Sequence, residues 1–369
     1  NSQMKKTLIA MAAVAVAGTA SAQVTIGGTM TFDALTKTKT TTRSAADVVT
    51  SSTADDTGRS NTLTTSQLLM SGTEDLGGGM SIGFVMNTGS DGGSFGARDR
   101  NLNLSSDTAG SVRVGRFIPS ASMGFYGYSG AATTAAGSIY GVGSGSATIF
   151  GATSQVAGSF ERNDNQLQYT SPTFDGLTFT VNYGSTSTDE SSTLGQVATK
   201  QQGYSIAYAA GALSAGAGRN TRDVEAAEGS ASAIAAKIDG ELDWYGIKYD
   251  MGVATLKFTN VQRKDQTAAA TTGAITVSND ININSFGVSV PMGSMTFSAS
   301  MFRGDNDVSA AATDNMDLSG NQLMVNYALS KRTSIYAVTG QTDAKRASGN
   351  TASVATKVTR TSAGILHTF

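Results

Sequence analysis

The chain has 369 residues with 43 glycines, 3 prolines, no cysteine and one histidine, and its apolar fraction of 39% is below that of an ordinary globular domain. Without cysteine there is no disulfide scaffold and no thiolate metal site, and His367, close to the C-terminus, is badly placed for a metal cage or a nucleophile-activating triad. The formal charge of −2, from 26 basic and 28 acidic residues, carries no basic bias, so nucleic acid is not an expected partner.

Asn1-Ser2-Gln3 precede an initiating Met4 and are read as a remnant. Lys5-Lys6-Thr7 form a basic n-region, Leu8 to Ala17 a short apolar h-region, and Ala20-Ser21-Ala22 a small-x-small cleavage pattern. Residues 4–22 therefore read as a secretory signal peptide, with Gln23 as the mature start. A membrane anchor would need about 20 apolar residues as a helix. Loss of Lys5 and Lys6 takes the net charge from −2 to −4.

From Gln23 onward no apolar stripe of helical period is sustained, and period two dominates. Thr178 to Tyr183 alternates Phe, Val and Tyr with Thr, Thr and Asn; Thr255 to Thr259, Thr296 to Met301 and Gln322 to Tyr327 do the same. The connections also alternate. Short turns at 74–79, 107–110, 172–176, 210–212, 250–252, 291–294 and 330–332 are interleaved with polar stretches near 37–60, 90–96, 119–160, 187–200, 223–239, 265–279, 305–319 and 344–354. Seven turns and eight loops imply sixteen strands. Short turns at one end, long loops at the other and strands of about 10 residues are the layout of an all-β transmembrane antiparallel barrel. Pro172 and Pro291 fall in short turns and Pro119 opens the longest loop, so no ladder is interrupted. A soluble β-rich protein explains less well a last strand that ends on a free aromatic, Phe369, as an interfacial residue would.

The run Ser71-Gly72-Thr73-Glu74-Asp75-Leu76-Gly77-Gly78-Gly79 resembles the hallmark after the second strand of Gram-negative general porins of the betaproteobacterial and neisserial type. Val24 to Gly28, Gly110 to Arg116, Asn165 to Pro172, Tyr327 to Thr333 and Gly364 to Phe369 resemble the same family, in order along the mature chain. The resemblance implies a homotrimer of sixteen-stranded barrels in the outer membrane of a Gram-negative bacterium, among lipid and lipopolysaccharide, each barrel passing ions and small hydrophilic solutes. It implies that the third long loop, residues 117–160, folds into the bore of the 23–369 domain as a constriction. It also implies that Phe369 belongs to the signal read by the barrel-assembly machinery. A non-conducting structural or adhesive barrel is the alternative.

The family lines its constriction with basic side chains, and Arg162 just after the long loop is the best match. Parity puts Arg162, Asp164, Gln166 and Gln168 on the lumen side, because Leu167 and Tyr169 should face lipid. Arg113 between two valines and Lys257 between Leu256 and Phe258 are expected inside, as is Arg360, because a cation at mid-depth on the lipid face costs about 2–4 kcal/mol. Gln67 stands where the family carries an arginine. Arg98 and Arg100 are further candidates, yet they share parity with Leu102 and Leu104, a conflict that a bulge or a one-residue shift would resolve.

Phe117 to Phe160 contains no Asp, Glu, Lys or Arg, so a basic wall facing this loop gives a weak to moderate anion preference. Asp305, Asp307, Asp314 and Asp317 offer the opposite reading, a cation-favouring vestibule. Tyr183, Tyr208, Tyr245, Tyr249 and Tyr327 suit an interfacial aromatic belt, while Tyr126, Tyr128 and Tyr140 lie on the long loop. Gly141 to Gly145 lacks the Lys-Ser/Thr of a phosphate loop, and Asp55-Asp56 and Asp189-Glu190 sit in polar loops, so no catalysis is expected. No cofactor is expected beyond divalent cations held loosely between acidic loops.

Overall fold

The computed structural model describes residues 23–44, 48–55, 66–89, 98–129, 162–185, 197–226, 237–268, 275–307, 315–346 and 355–369. The signal peptide expected over 4–22 and the part of the long loop from 130 to 160 lie outside the described residues. In chain order the strands are β1 (Gln23–Arg43), β2 (Val49–Asp55), β3 (Gln67–Gly77), β4 (Met80–Gly89), β5 (Arg100–Ser106), β6 (Gly110–Phe117), β7 (Asn163–Thr170), β8 (Leu177–Ser185) and β9 (Val197–Ala210). They continue as β10 (Leu213–Ala226), β11 (Lys237–Asp250), β12 (Thr255–Ala268), β13 (Ile275–Met292), β14 (Met295–Asn306), β15 (Met316–Ala328), β16 (Thr333–Arg346) and β17 (Ala355–Thr368). Among the described residues a short helix, α1 (Ser120–Met123), and a 3-10 turn over Gly124–Gly127 follow β6. No helix among the described residues is long and apolar enough to cross a membrane.

Neighbouring strands pair antiparallel, and β17 returns to pair with β1, so the sheet closes. Seventeen segments make a sixteen-stranded barrel because β2 and β3 share one position: β1 pairs with β3 over Gln23 to Thr29 and with β2 over Thr38 to Arg43. Closure removes the open edges that a spanning sheet could not leave in lipid.

The alternation read in the sequence is the alternation of the wall. On β8, Phe179, Val181 and Tyr183 are 47%, 52% and 49% exposed, whereas Thr180 and Asn182 between them are 7% and 5% exposed. Strands also run further than hydrophobic alternation indicates: β1 reaches Arg43 and β2 occupies 49–55, both inside the stretch expected to be a loop, and β10, β12 and β16 extend similarly. Above the lipid no face has to be apolar, so the pattern vanishes while the backbone ladder continues. Pro291 pairs with Thr296 at the end of β13 rather than lying in the turn.

At the seam, β1 carries one extra residue, Ala34, between Asp33 and Leu35. Asp33 is fully buried and accepts a hydrogen bond from the Tyr336 hydroxyl. Tyr336 reaches it from β16 by passing over Gly364 of β17, where any Cβ would collide with the Tyr336 ring and the Phe32 carbonyl. Thr36 and Ser362 share a hydroxyl contact of 3.1 Å at the same seam. The amides of Gly28 and Phe369 each donate to the other's carbonyl at 3.1 Å, so the last residue is locked to the first strand.

Candidate functional site

The inner wall is not uniformly polar. Leu242, Trp244, Val261, Ile281, Ile283, Phe302, Leu318 and Ala344 form a buried apolar cluster with Phe125, joined by Ile118, Tyr126, Tyr128 and Met316. These strand residues stand on the parity opposite to exposed Tyr245, Ile247 and Leu323, which identifies the cluster as a seat inside the barrel. The start of the long loop occupies it. Trp244, the single tryptophan, donates from its indole nitrogen to the Ala121 carbonyl at 2.7 Å, and Ser120 donates its amide to Gln168 Oε1 at 3.0 Å. Gly218 and Gly246 admit the loop because a Cβ there would strike Trp244 and Tyr128 respectively. Burying Phe125 and Trp244 contributes about 1.5–3 kcal/mol for each side chain. The inward fold of residues 117–129 thus has a visible cause, and the signal for it was Leu242 and Trp244 on the wet parity of β11.

Charged residues gather beside this seat. Arg113 points inward, with its guanidinium 4.0 Å from the centre of the buried Phe117 ring. Arg162 donates from Nε to Asp99 at 2.6 Å, and Asp99 also acts electrostatically on Arg113. Asp99, which the sequence did not single out, therefore links the two arginines. The Asn87 amide donates to the Asp99 carbonyl at 2.7 Å and the Arg98 amide to the Asn87 carbonyl at 3.1 Å, so Arg98 and Asp99 share one partner on β4. This bulge takes Arg98 off the parity of Leu102 and Leu104 but leaves Arg100 on it. Asn87 is turned inward and donates to Gln67 Oε1 at 3.0 Å.

Two expectations are corrected. Arg100 lies outward with Leu102 and Leu104, and Asp164 lies outward with it: Asp164 Oδ1 is 2.7 Å from Arg100 and Oδ2 is 3.2 Å from Arg116. The ladder pairs Gly115 with Gln166 and Phe117 with Asn163, leaving β6 one intervening residue and β7 two. Asn165, at φ 55°, absorbs the extra residue and moves Asp164 off the face of Gln166 and Gln168. The trio Arg116, Asp164 and Arg100 is thus an outer-surface cluster, not part of the bore.

Lys257 is inward and stands directly opposite Lys248 on β11, a second inward lysine. Its signal was present, because Lys248 sits between Ile247 and Tyr249 just as Lys257 sits between Leu256 and Phe258. Arg360 is inward beside the buried Asp33, at 4.0 Å. Arg263 pairs with Asp265 at 2.7 Å on the inner face of β12, and Arg222 of β10 lies in the same electrostatic cluster. Asp305 and Asp317, proposed for the vestibule, pair across β14 and β15 on the outward parity, opposite to buried Leu318.

A family model described as Gram-negative porin matches residues 8–347. The chain belongs to the Gram-negative porins. It is a diffusion porin of the outer membrane, crossing it with many strands. An anion-selective porin from Comamonas acidovorans has a similar structure, with a TM-score of 0.66 and 25% identity over 94% of this chain and all (100%) of the other. Salmonella typhi OmpF, solved with daunomycin, shares the fold at a TM-score of 0.62, 13% identity and coverage of 94% and 98%. The trimer form of Vibrio cholerae OmpT does so at 0.62, 14%, and coverage of 94% and 99%. No curated protein matches by sequence.

Proposed function

We propose that this porin conducts small hydrophilic solutes with a preference for anions, as a homotrimer and without catalysis. The carrying observation is the sign of the inner wall. Its described inward positions include Arg113, Arg162, Arg222, Arg263, Arg360 and the two lysines 248 and 257, against Asp33, Asp99, Asp265 and, at the turn, Asp250. The loop segment from Phe117 to Phe160 adds no charge to offset them, and Asp305 and Asp317 lie on the outer face. A water-filled passage with net positive walls raises the local concentration of anions and repels cations. The anion selectivity of the Comamonas porin and the trimer form of the Vibrio barrel support the reading. The same reading takes 4–22 as the export leader, Phe369 as part of the assembly signal, and lipid and lipopolysaccharide as the surroundings of the outer face. Reversal potentials in a potassium chloride gradient test it: a sign set by chloride is expected, with conductance steps in threes. A potassium-set sign overturns the preference, and silence at all voltages overturns the channel.

A further inference from the structure

We infer that Lys248 and Lys257 form a binding step for small doubly charged oxyanions, such as sulfate, between the inward loop and the periplasmic mouth. The inference rests on the pore reading above and adds to it a ligand class and a place. The two lysines are direct partners across β11 and β12. They face inward because Gly246, the next inward position on β11, lies under Tyr128 of the loop, and Trp244, the one after it, holds the Ala121 carbonyl. They are close to the short turn that joins Asp250 to Thr255, hence on the periplasmic side of the loop.

Residues directly opposed in an antiparallel pair have Cβ atoms about 4.5–5.5 Å apart, and like charges there oppose the pairing. An anion with two charges relieves that repulsion, accepting a charge-assisted hydrogen bond from each ammonium. One charge can satisfy only half of the site. The neighbouring inward positions suit an oxyanion: Ser214 on β10, Thr255 and Thr259 on β12, and Ser285 and Ser289 on β13 offer hydroxyls, while Gly287 opposite Lys257 leaves space. The nearest carboxylate by register, Asp250, accepts the Gly252 amide at 2.8 Å and is engaged in the turn. An anion that has passed the loop meets this pair next.

The test is potassium sulfate added, on either side, to single channels conducting in potassium chloride. Wild type is expected to show a sulfate-dependent fall in chloride current, stronger from one side. Lys248→Gln and Lys257→Gln, tested separately, are each expected to raise the half-blocking sulfate concentration about tenfold, the loss of one charge-assisted bond. Lys331→Gln, which removes a cation from an exposed turn at the same mouth, is expected to leave the block unchanged. A sulfate response equal in wild type and both lysine variants overturns the inference, as does equal weakening by Lys331→Gln, which would reduce the effect to general mouth charge. Chloride conduction in the wild type tests the pore itself, so the two failures are distinguishable.

Discussion

At Asp99 the side chain holds Arg162 at 2.6 Å and acts on Arg113, so one carboxylate masks two of the cations beside the inward loop. Asp99→Asn keeps the shape and removes the charge. It is expected to increase chloride over potassium permeability, read from reversal potentials, while Arg162→Gln moves them the opposite way; a shift of the same sign in both would refute the assignment. Isolated charges of this kind were legible where both neighbours are apolar, as at Arg113 and Lys257, because period two then has one solution. Asp164 was not legible. Its parity is reset by Asn165 in the left-handed region, and although asparagine adopts that conformation more readily than most residues, nothing in Asn163-Asp164-Asn165 tells which one does.

The element that shapes the bore is the start of the long loop, held by Trp244, Phe125 and the glycines beneath it. Gly246→Val places a branched side chain where Tyr128 lies and is expected to push the loop off the wall. Trp244 fluorescence should shift toward that of a solvated indole, and single-channel conductance should change measurably; an unaltered emission spectrum and conductance would show that the loop is held elsewhere. Sixteen strands and the two kinds of connection could be counted in advance, because lipid demands an apolar face on every crossing. Strand length could not. Beyond the hydrocarbon a strand is specified by its backbone ladder alone, which explains why Lys37 to Arg43 and Val49 to Asp55 read as loop and fold as sheet. The apolar seat escaped for the opposite reason: it is a patch of hydrophobic residues on a face expected to be wet.

For the whole molecule, closure rests on the seam between β1 and β17. Gly364→Leu would collide with Tyr336 and the Phe32 carbonyl. It is expected to abolish most of the compact, fast-migrating form on unheated gels, whereas Tyr336→Phe removes one buried hydrogen bond to a carboxylate, costing about 1.5–3 kcal/mol, and lowers the temperature at which that form is lost. Equal behaviour of both variants and wild type would remove the seam from the account of stability. The Tyr336 to Asp33 contact spans 303 residues of chain. A sheet in which β1 and β17 have not yet met carries two unsatisfied borders, each able to pair with the border of another copy. Pairing of β17 with β1 ends that exposure, so the barrel gains its protection from mispairing in one last step rather than strand by strand.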